Sequence, residues 1–188
     1  LKEVQPFIKG EGGLHSTSVE RFRRHMLVLR PNIVIIYDEL KSKTPYDWRL
    51  KFHSLNKMVN TGSRGILTEN NQAKTSLRVW GSDKTKTNIT DQFRFPAIQL
   101  RKESKASGEL HKFKNTWHTT ISPGKRATSY RYLSIIQVNP KNGKVQTITP
   151  KRTGRDTFEL GSYTIKCQLD ANKASLLSVT KNDGSFGL

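Results

Sequence analysis

Between Val19 and Ser54 apolar and polar residues alternate in a way that predicts three successive strands. In V-E-R-F-R-R-H-M-L-V-L, Phe22, Arg24, Met26 and Val28 fall on one face, and Arg21, Arg23, His25, Leu27 and Leu29 on the other. A period of two with unlike faces is the mark of a strand. Pro31 and Asn32 suit the corners of a reversal. The β-branched run from Ile33 to Tyr37 then reads as a strand buried on both sides. Trp48, Leu50 and Phe52 alternate with Arg49, Lys51 and His53, giving a third strand with one basic face. These three antiparallel strands are expected to form the heart of one sheet.

The same reading carries down the chain. Residues 64–68 and 73–80 predict two edge-like strands joined by an Asn-rich hairpin. Trp80 faces away from Leu77 and Val79, so it is either a platform for a sugar or a packed residue, and packing is the favoured reading. From Gly81 to Lys114 the sequence is polar and basic and reads as a long loop, of the kind that carries function or moves. Lys114 to Ile121 and Ala127 to Val138 predict a pair of strands across Ser122-Pro123-Gly124-Lys125. Beyond Asn139, short strands alternate with tight turns around residues 140–143, 153–156, 161–162 and 170–172. No helical period of useful length occurs. The prediction is an all-β, antiparallel two-layer β-sandwich forming a single domain over residues 1–188, with residues 1–18 as a loop or edge.

Charge narrows the partners. Against 15 acidic residues the chain carries 33 Lys and Arg, a formal +18 over 188 residues. Such a field attracts polyanions: nucleic acid, an acidic membrane surface or an acidic polysaccharide. Nucleic acid is disfavoured, because no zinc-ligand spacing, RNA-recognition aromatic strand or basic reading helix is present. No run approaches the roughly 18 apolar residues of a membrane span, and no basic-then-apolar signal peptide opens the sequence. Cys167 alternates with Ile165 and Leu169 and reads as a small buried hydrophobe. His15, between Gly-Gly-Leu and Ser-Thr-Ser, reads as an exposed loop histidine. Leu1 is not an initiator Met, so the chain is expected to be the C-terminal piece of something longer.

Certain residues carry a family resemblance. R-R-H-M-L-V-L-R-P-N-I-V-I-I-Y-D-E-L, followed by a tryptophan-bearing strand ending F-H-S, resembles the β-sheet region of heparinase II/III-like polysaccharide lyases. The matching positions are Arg24, Arg30, Pro31, Asp38, Glu39, Leu40, Trp48 and His53. The gap from Trp48 to His53 is one residue longer than the family's pattern. Phe93-Arg-Phe-Pro96, and Trp117 followed by Tyr130 to Ile136, extend the likeness over most of the first 140 residues.

The resemblance implies a lyase that cleaves uronic-acid glycosides by β-elimination, which needs a base, an acid and cations for the sugar carboxylate. It also implies an N-terminal helical toroid in the same parent chain, an acidic polysaccharide as substrate and a periplasmic or secreted location. In the family, the catalytic Tyr and one His lie on the toroid. A second His and the metal ligands lie in His-x-His-x-Asp, Ile-Asp-x-Gly and His-Asn-Thr segments, all upstream of the matching strand. None of these motifs occurs here. His25, His53, His111 and His118 are too scattered to form a metal set. No catalytic residue is therefore assigned and no cofactor is expected in this fragment, although the resemblance leaves room for a metal in the parent enzyme.

The remaining candidates are basic. If the first and third strands lie close in one sheet, Arg21, Arg23 and His25 share a face with Arg49, Lys51 and His53. Such a face suits carboxylate or sulfate groups, for which arginine offers a bidentate fork. The competing account is a solvated sheet face. Two other functions stay open: a non-catalytic carbohydrate- or glycosaminoglycan-binding sandwich, and a basic nucleic-acid-binding β-domain.

Overall fold

A computed structural model describes residues 18–62, 64–92, 116–143 and 147–183. The loop or edge expected over residues 1–18 (all but Ser18), the Phe93-Arg-Phe-Pro96 segment and most of the long polar loop, the strand expected around Val145, and His15 and His111 lie outside these residues. Among the described residues there is no helix, and antiparallel strands make up the fold.

Strand β1 (Val19–Leu29) turns at Pro31-Asn32 into the 14-residue β2 (Ile33–Tyr46), with Leu29 opposite Ile33 and Arg23 opposite Glu39. β2 is buried on both faces from Ile33 to Leu40, as its unbroken apolar start requires, and its last residues are exposed. Its other neighbour is not the next strand in sequence. β3 (Leu50–Ser54) leaves for a different sheet, and the place beside β2 is taken by β9 (Ala127–Pro140), with Ile35 opposite Ile135. The expectation that the first three strands share one sheet is corrected accordingly. The large sheet also contains β4 (Met58–Asn60), β5 (Gly65–Glu69) and β6 (Ala73–Gly81), in the order β1-β2-β9-β6-β5-β4. β6 is interior rather than an edge. The Asn-rich hairpin before it is built by Asn70, whose Oδ1 accepts from the backbone N–H groups of Gln72 and Ala73 at 2.8 and 2.7 Å. This is the local turn that asparagine favours.

A three-stranded sheet, β3-β8-β7, joins β7 (Thr85–Thr90) and β8 (Trp117–Pro123) to β3. β8 and β9 therefore do not pair across residues 122–125. The turn instead carries the chain from one sheet to another. A four-stranded sheet closes the fold with β10 (Lys151–Arg152), β11 (Thr157–Leu160), β12 (Tyr163–Cys167) and β13 (Leu177–Lys181). Its central hairpin turns on Gly161 at φ +60°, where a side chain would be strained, and a Cβ there would also stand 3.0 Å from Ile148 Cδ1.

The sandwich forms between the large sheet and the four-stranded one. Ile33, Ile35, Tyr37, Leu133 and Ile135 pack on Phe158, Leu160, Ile165, Cys167 and Val179. Trp80 is buried in this layer with its ring centroid 4.9 Å from that of Phe158, so the packing reading of Trp80 holds. Cys167 is fully buried beside Ile165, as the alternation predicts, and burial pushes its thiol up to about 12. The opposite face of the large sheet meets the three-stranded sheet through a second core, in which Leu40, Leu77, Val79, Tyr130 and Tyr132 pack against Trp48, Leu50 and Ile121. Non-directional burial of apolar surface in both layers supplies the main drive for this arrangement.

Candidate functional site

The site grows out of the β1–β2 hairpin. Successive residues of β2 point to opposite faces, so the adjacent acids Asp38 and Glu39 are sent to different sides of the sheet. Asp38 meets Arg24 in a bidentate pair, with Nε to Oδ1 at 2.6 Å and Nη2 to Oδ2 at 2.9 Å. Glu39 lies on the other face, in a row formed by Arg23 of β1, Glu39 of β2 and Arg131 of β9.

Glu39 is almost completely buried, and four cationic or ionisable groups converge on it. His25 Nε2 is 3.1 Å from Oε1. Guanidinium nitrogens of Arg21, Arg23 and Arg131 stand 3.8, 3.9 and 4.0 Å from its carboxylate oxygens. Burial pushes the Glu39 carboxyl upward, but hydrogen bonds from His25 and Ser175 and the charges of Arg131 and Arg23 outweigh it. The net direction is below the ordinary carboxylate range. Arg131 is itself buried and donates to the backbone carbonyls of Gln168, Asp170 and Lys173 at 3.1, 2.8 and 2.7 Å. It therefore staples the β12–β13 connection to the large sheet and positions Ser175 and Leu176 above Glu39.

The result is a cleft of about 520 Å³ whose walls include Arg23, His25, Tyr37, Glu39, Ser175 and Leu176. Arg23 on its wall and Arg21, which reaches Glu39 from two residues earlier on the same face of β1, are half-exposed, with side-chain exposures of 55% and 48%. One carboxylate cannot satisfy the hydrogen-bonding capacity of both forks, so these two arginines can receive a further anion. Tyr37 is not equipped as a base. Its hydroxyl donates to the Gln168 carbonyl at 2.8 Å, and burial raises its pKa above the usual phenol value. His25 stacks on the Tyr37 ring with centroids 5.9 Å apart.

The structure brings Arg21, Arg23 and His25 together, and it does not bring Arg49, Lys51 and His53 to them. Because β3 belongs to the three-stranded sheet, the six residues form no common face. Arg49 is bound to Asp47, with Nη2 to Oδ2 at 2.6 Å. Lys51 lies opposite Thr120, and His53 lies opposite His118 with ring centroids 5.7 Å apart. No cluster of three or more His, Cys, Asp or Glu residues suited to a metal occurs among the described residues. The sequence reading missed Arg131 and the central part of Glu39. The available signal was a single arginine inside the apolar strand Tyr130 to Ile136, which must find an acid if it faces inward.

The class defined by this arrangement is an antiparallel β-sandwich with a cationic cleft at the edge of its largest sheet. No family model matches the chain, and no curated protein matches it in sequence. Solved structures do match. The chain is similar to a heparinase III structure with a TM-score of 0.53 and 14% identity, over 83% of this chain and 23% of that one. It is also similar to a mutant of heparan sulfate lyase HepC from Pedobacter heparinus, with a TM-score of 0.51 and 11% identity, over 86% of this chain and 24% of the other. The chain thus has the fold of a part of these lyase structures, as the resemblance implied, and spans about a quarter of their length.

Proposed function

We propose that the chain is the distal β-sandwich of a heparinase II/III-like polysaccharide lyase that acts by β-elimination on an acidic, uronic-acid-bearing polysaccharide. The observation that carries this reading is the fold itself, shared over most of this chain with a fragment of heparinase III. The charge agrees with it, since a +18 chain attracts a polyanionic substrate. In this reading the base and acid belong to the rest of the parent protein, on a helical toroid, and the parent works in the periplasm or outside the cell. Arg21, Arg23 and His25 hold carboxylate or sulfate groups of the polymer in the Glu39 cleft.

The test is turnover of heparan sulfate and of its unsulfated precursor polymer by the full-length protein, followed through the absorbance of the unsaturated uronate product. Arg21→Ala with Arg23→Ala is expected to raise KM about tenfold or more, which corresponds to roughly 1.4 kcal/mol, while kcat changes little. Absence of unsaturated product from every uronic-acid polymer would remove the lyase assignment. Unchanged KM in the double variant would remove the cleft from it. Turnover by the 188-residue chain alone would show that the acid and base are here after all.

A further inference from the structure

A second groove lies at the other end of β2. The register sets Tyr46, the last residue of β2, opposite Ala127, the first of β9, so Arg126 stands beside Tyr46 where the β8–β9 turn enters the sheet. Two clefts of about 600 and 530 Å³ meet here and share Pro45 and Arg126 as walls.

Tyr46 is 42% exposed and its ring rests on Trp48, with centroids 5.6 Å apart and planes inclined at 36°. Trp48 is buried and held from two sides. Its Nε1 donates to the Ala127 carbonyl at 2.9 Å, and its own carbonyl accepts from the Tyr132 hydroxyl at 2.8 Å. The ring beneath Tyr46 is thus fixed in place before any ligand arrives, and a preformed support of this kind lowers the entropy cost of using the tyrosine.

The charges around it are nearly balanced. Arg49 pairs with Asp47 at 2.6 Å, Lys125 with Asp83 at 3.8 Å and Arg155 with Asp170 at 3.1 Å. Arg152 donates to the carbonyls of Gly154 and Arg155, and Asp156 accepts from the Leu169 N–H. Five cations therefore face four carboxylates, and Arg126, which is exposed, has no acidic partner among the described residues. One guanidinium fork is left for a ligand, beside one free aromatic face.

We propose that this groove binds a uronic-acid-bearing saccharide, with the sugar carboxylate on Arg126 and the C–H face of its pyranose ring on Tyr46. An aromatic ring and a charged fork in adjacent positions match a ligand that is apolar on one face and anionic at one edge. The flanking pairs, Asp47 with Arg49 and Asp83 with Lys125, offer acceptors and donors to the hydroxyls. A densely charged polymer fits less well, because its closely spaced phosphates or sulfates would meet the four carboxylates. The inference rests on the polysaccharide reading above and places a binding site apart from the Glu39 cleft.

Calorimetric titration of the full-length protein with an unsulfated glucuronic-acid-containing tetrasaccharide tests it. Arg126→Ala is expected to weaken binding about tenfold or more, Arg126→Lys to restore it in part, and Tyr46→Ala to weaken it by a similar factor. Tyr46→Phe keeps the ring and is expected to bind as the natural protein does. A carboxyl-reduced tetrasaccharide should bind more weakly and be indifferent to Arg126→Ala. If Arg126→Ala binds the tetrasaccharide as tightly as the natural protein, the groove is not the site, while loss of binding on Arg21→Ala with Arg23→Ala would leave the polysaccharide reading standing. If the natural protein binds no acidic saccharide, both fail. Tighter binding of a single-stranded oligonucleotide than of the tetrasaccharide, with the same dependence on Arg126, would overturn the saccharide assignment in favour of nucleic acid.

Discussion

Asp38 and Glu39 are neighbours on one strand, almost equally buried, and they face opposite sides of the sheet. Each meets arginines of β1, yet the two sides differ in how charge is balanced. On the Asp38 side one guanidinium meets one carboxylate in a bidentate pair, and both groups are satisfied. On the Glu39 side a single carboxylate is shared by Arg21, Arg23, Arg131 and His25, with two of the arginines half-exposed. The matched pair is an arrangement for holding an edge strand. The surplus of positive charge around Glu39 leaves guanidinium donors without a carboxylate of their own, and these are what the proposed anion binding would use. The same period-two alternation produced both, and the two sides differ in the number of cations per acid.

Removing Glu39 is the harshest way to test that difference. Glu39→Ala leaves the buried Arg131 without its counter-charge and is expected to cost about 3 kcal/mol or more, read from urea denaturation midpoints. The effect carries a pH signature. Because the folded Glu39 carboxyl lies below its unfolded value of about 4.3, its contribution is complete above that pH and is lost as pH falls through the folded pKa. The stability gap between the natural protein and Glu39→Gln should therefore be widest near neutrality and shrink at acid pH. A gap independent of pH would show that the cations around Glu39 contribute no net charge stabilisation.

Arg24→Ala comes next in size. It strands the buried Asp38 carboxylate, but β1 is an edge strand and water can reach the vacated position. A loss of about 1–2 kcal/mol is expected. The change should lower acidic-saccharide binding less than loss of Arg23 does, because the Arg24 guanidinium is engaged by Asp38 although its residue borders the same cleft.

Much of this was legible in the alternation of the chain. It predicted β1 and β2, the Asn70 hairpin, the burial of Cys167 and the β11–β12 turn, because each depends on residues a few positions apart. Which ladder a strand joins depends on partners far away. β2 takes β9, whose residues lie about a hundred positions on, and β3 takes β8. Periodicity fixes the face of a side chain and says nothing about that choice, so the joint basic face of Arg23 and Lys51 was expected and did not form. β7 was missed for another reason. Thr85 to Thr90 contains only Ile89 as an apolar residue, and its strand state comes from pairing with β8 rather than from its own pattern.

The smallest expected effect is the one that separates the two faces most cleanly. Arg21→Ala or Arg23→Ala removes a half-exposed cation at nearly 4 Å from Glu39, where solvent screens the attraction, so stability should change by less than about 0.5 kcal/mol. Binding should respond differently. Each arginine that contacts a polyanion displaces counterions, so losing one should flatten the dependence of affinity on salt as well as lower the affinity. A titration of heparan sulfate at several salt concentrations reads both quantities. If the two variants are instead as destabilised as Arg24→Ala and bind with unchanged salt dependence, the cations around Glu39 are structural too, and the contrast between the faces disappears.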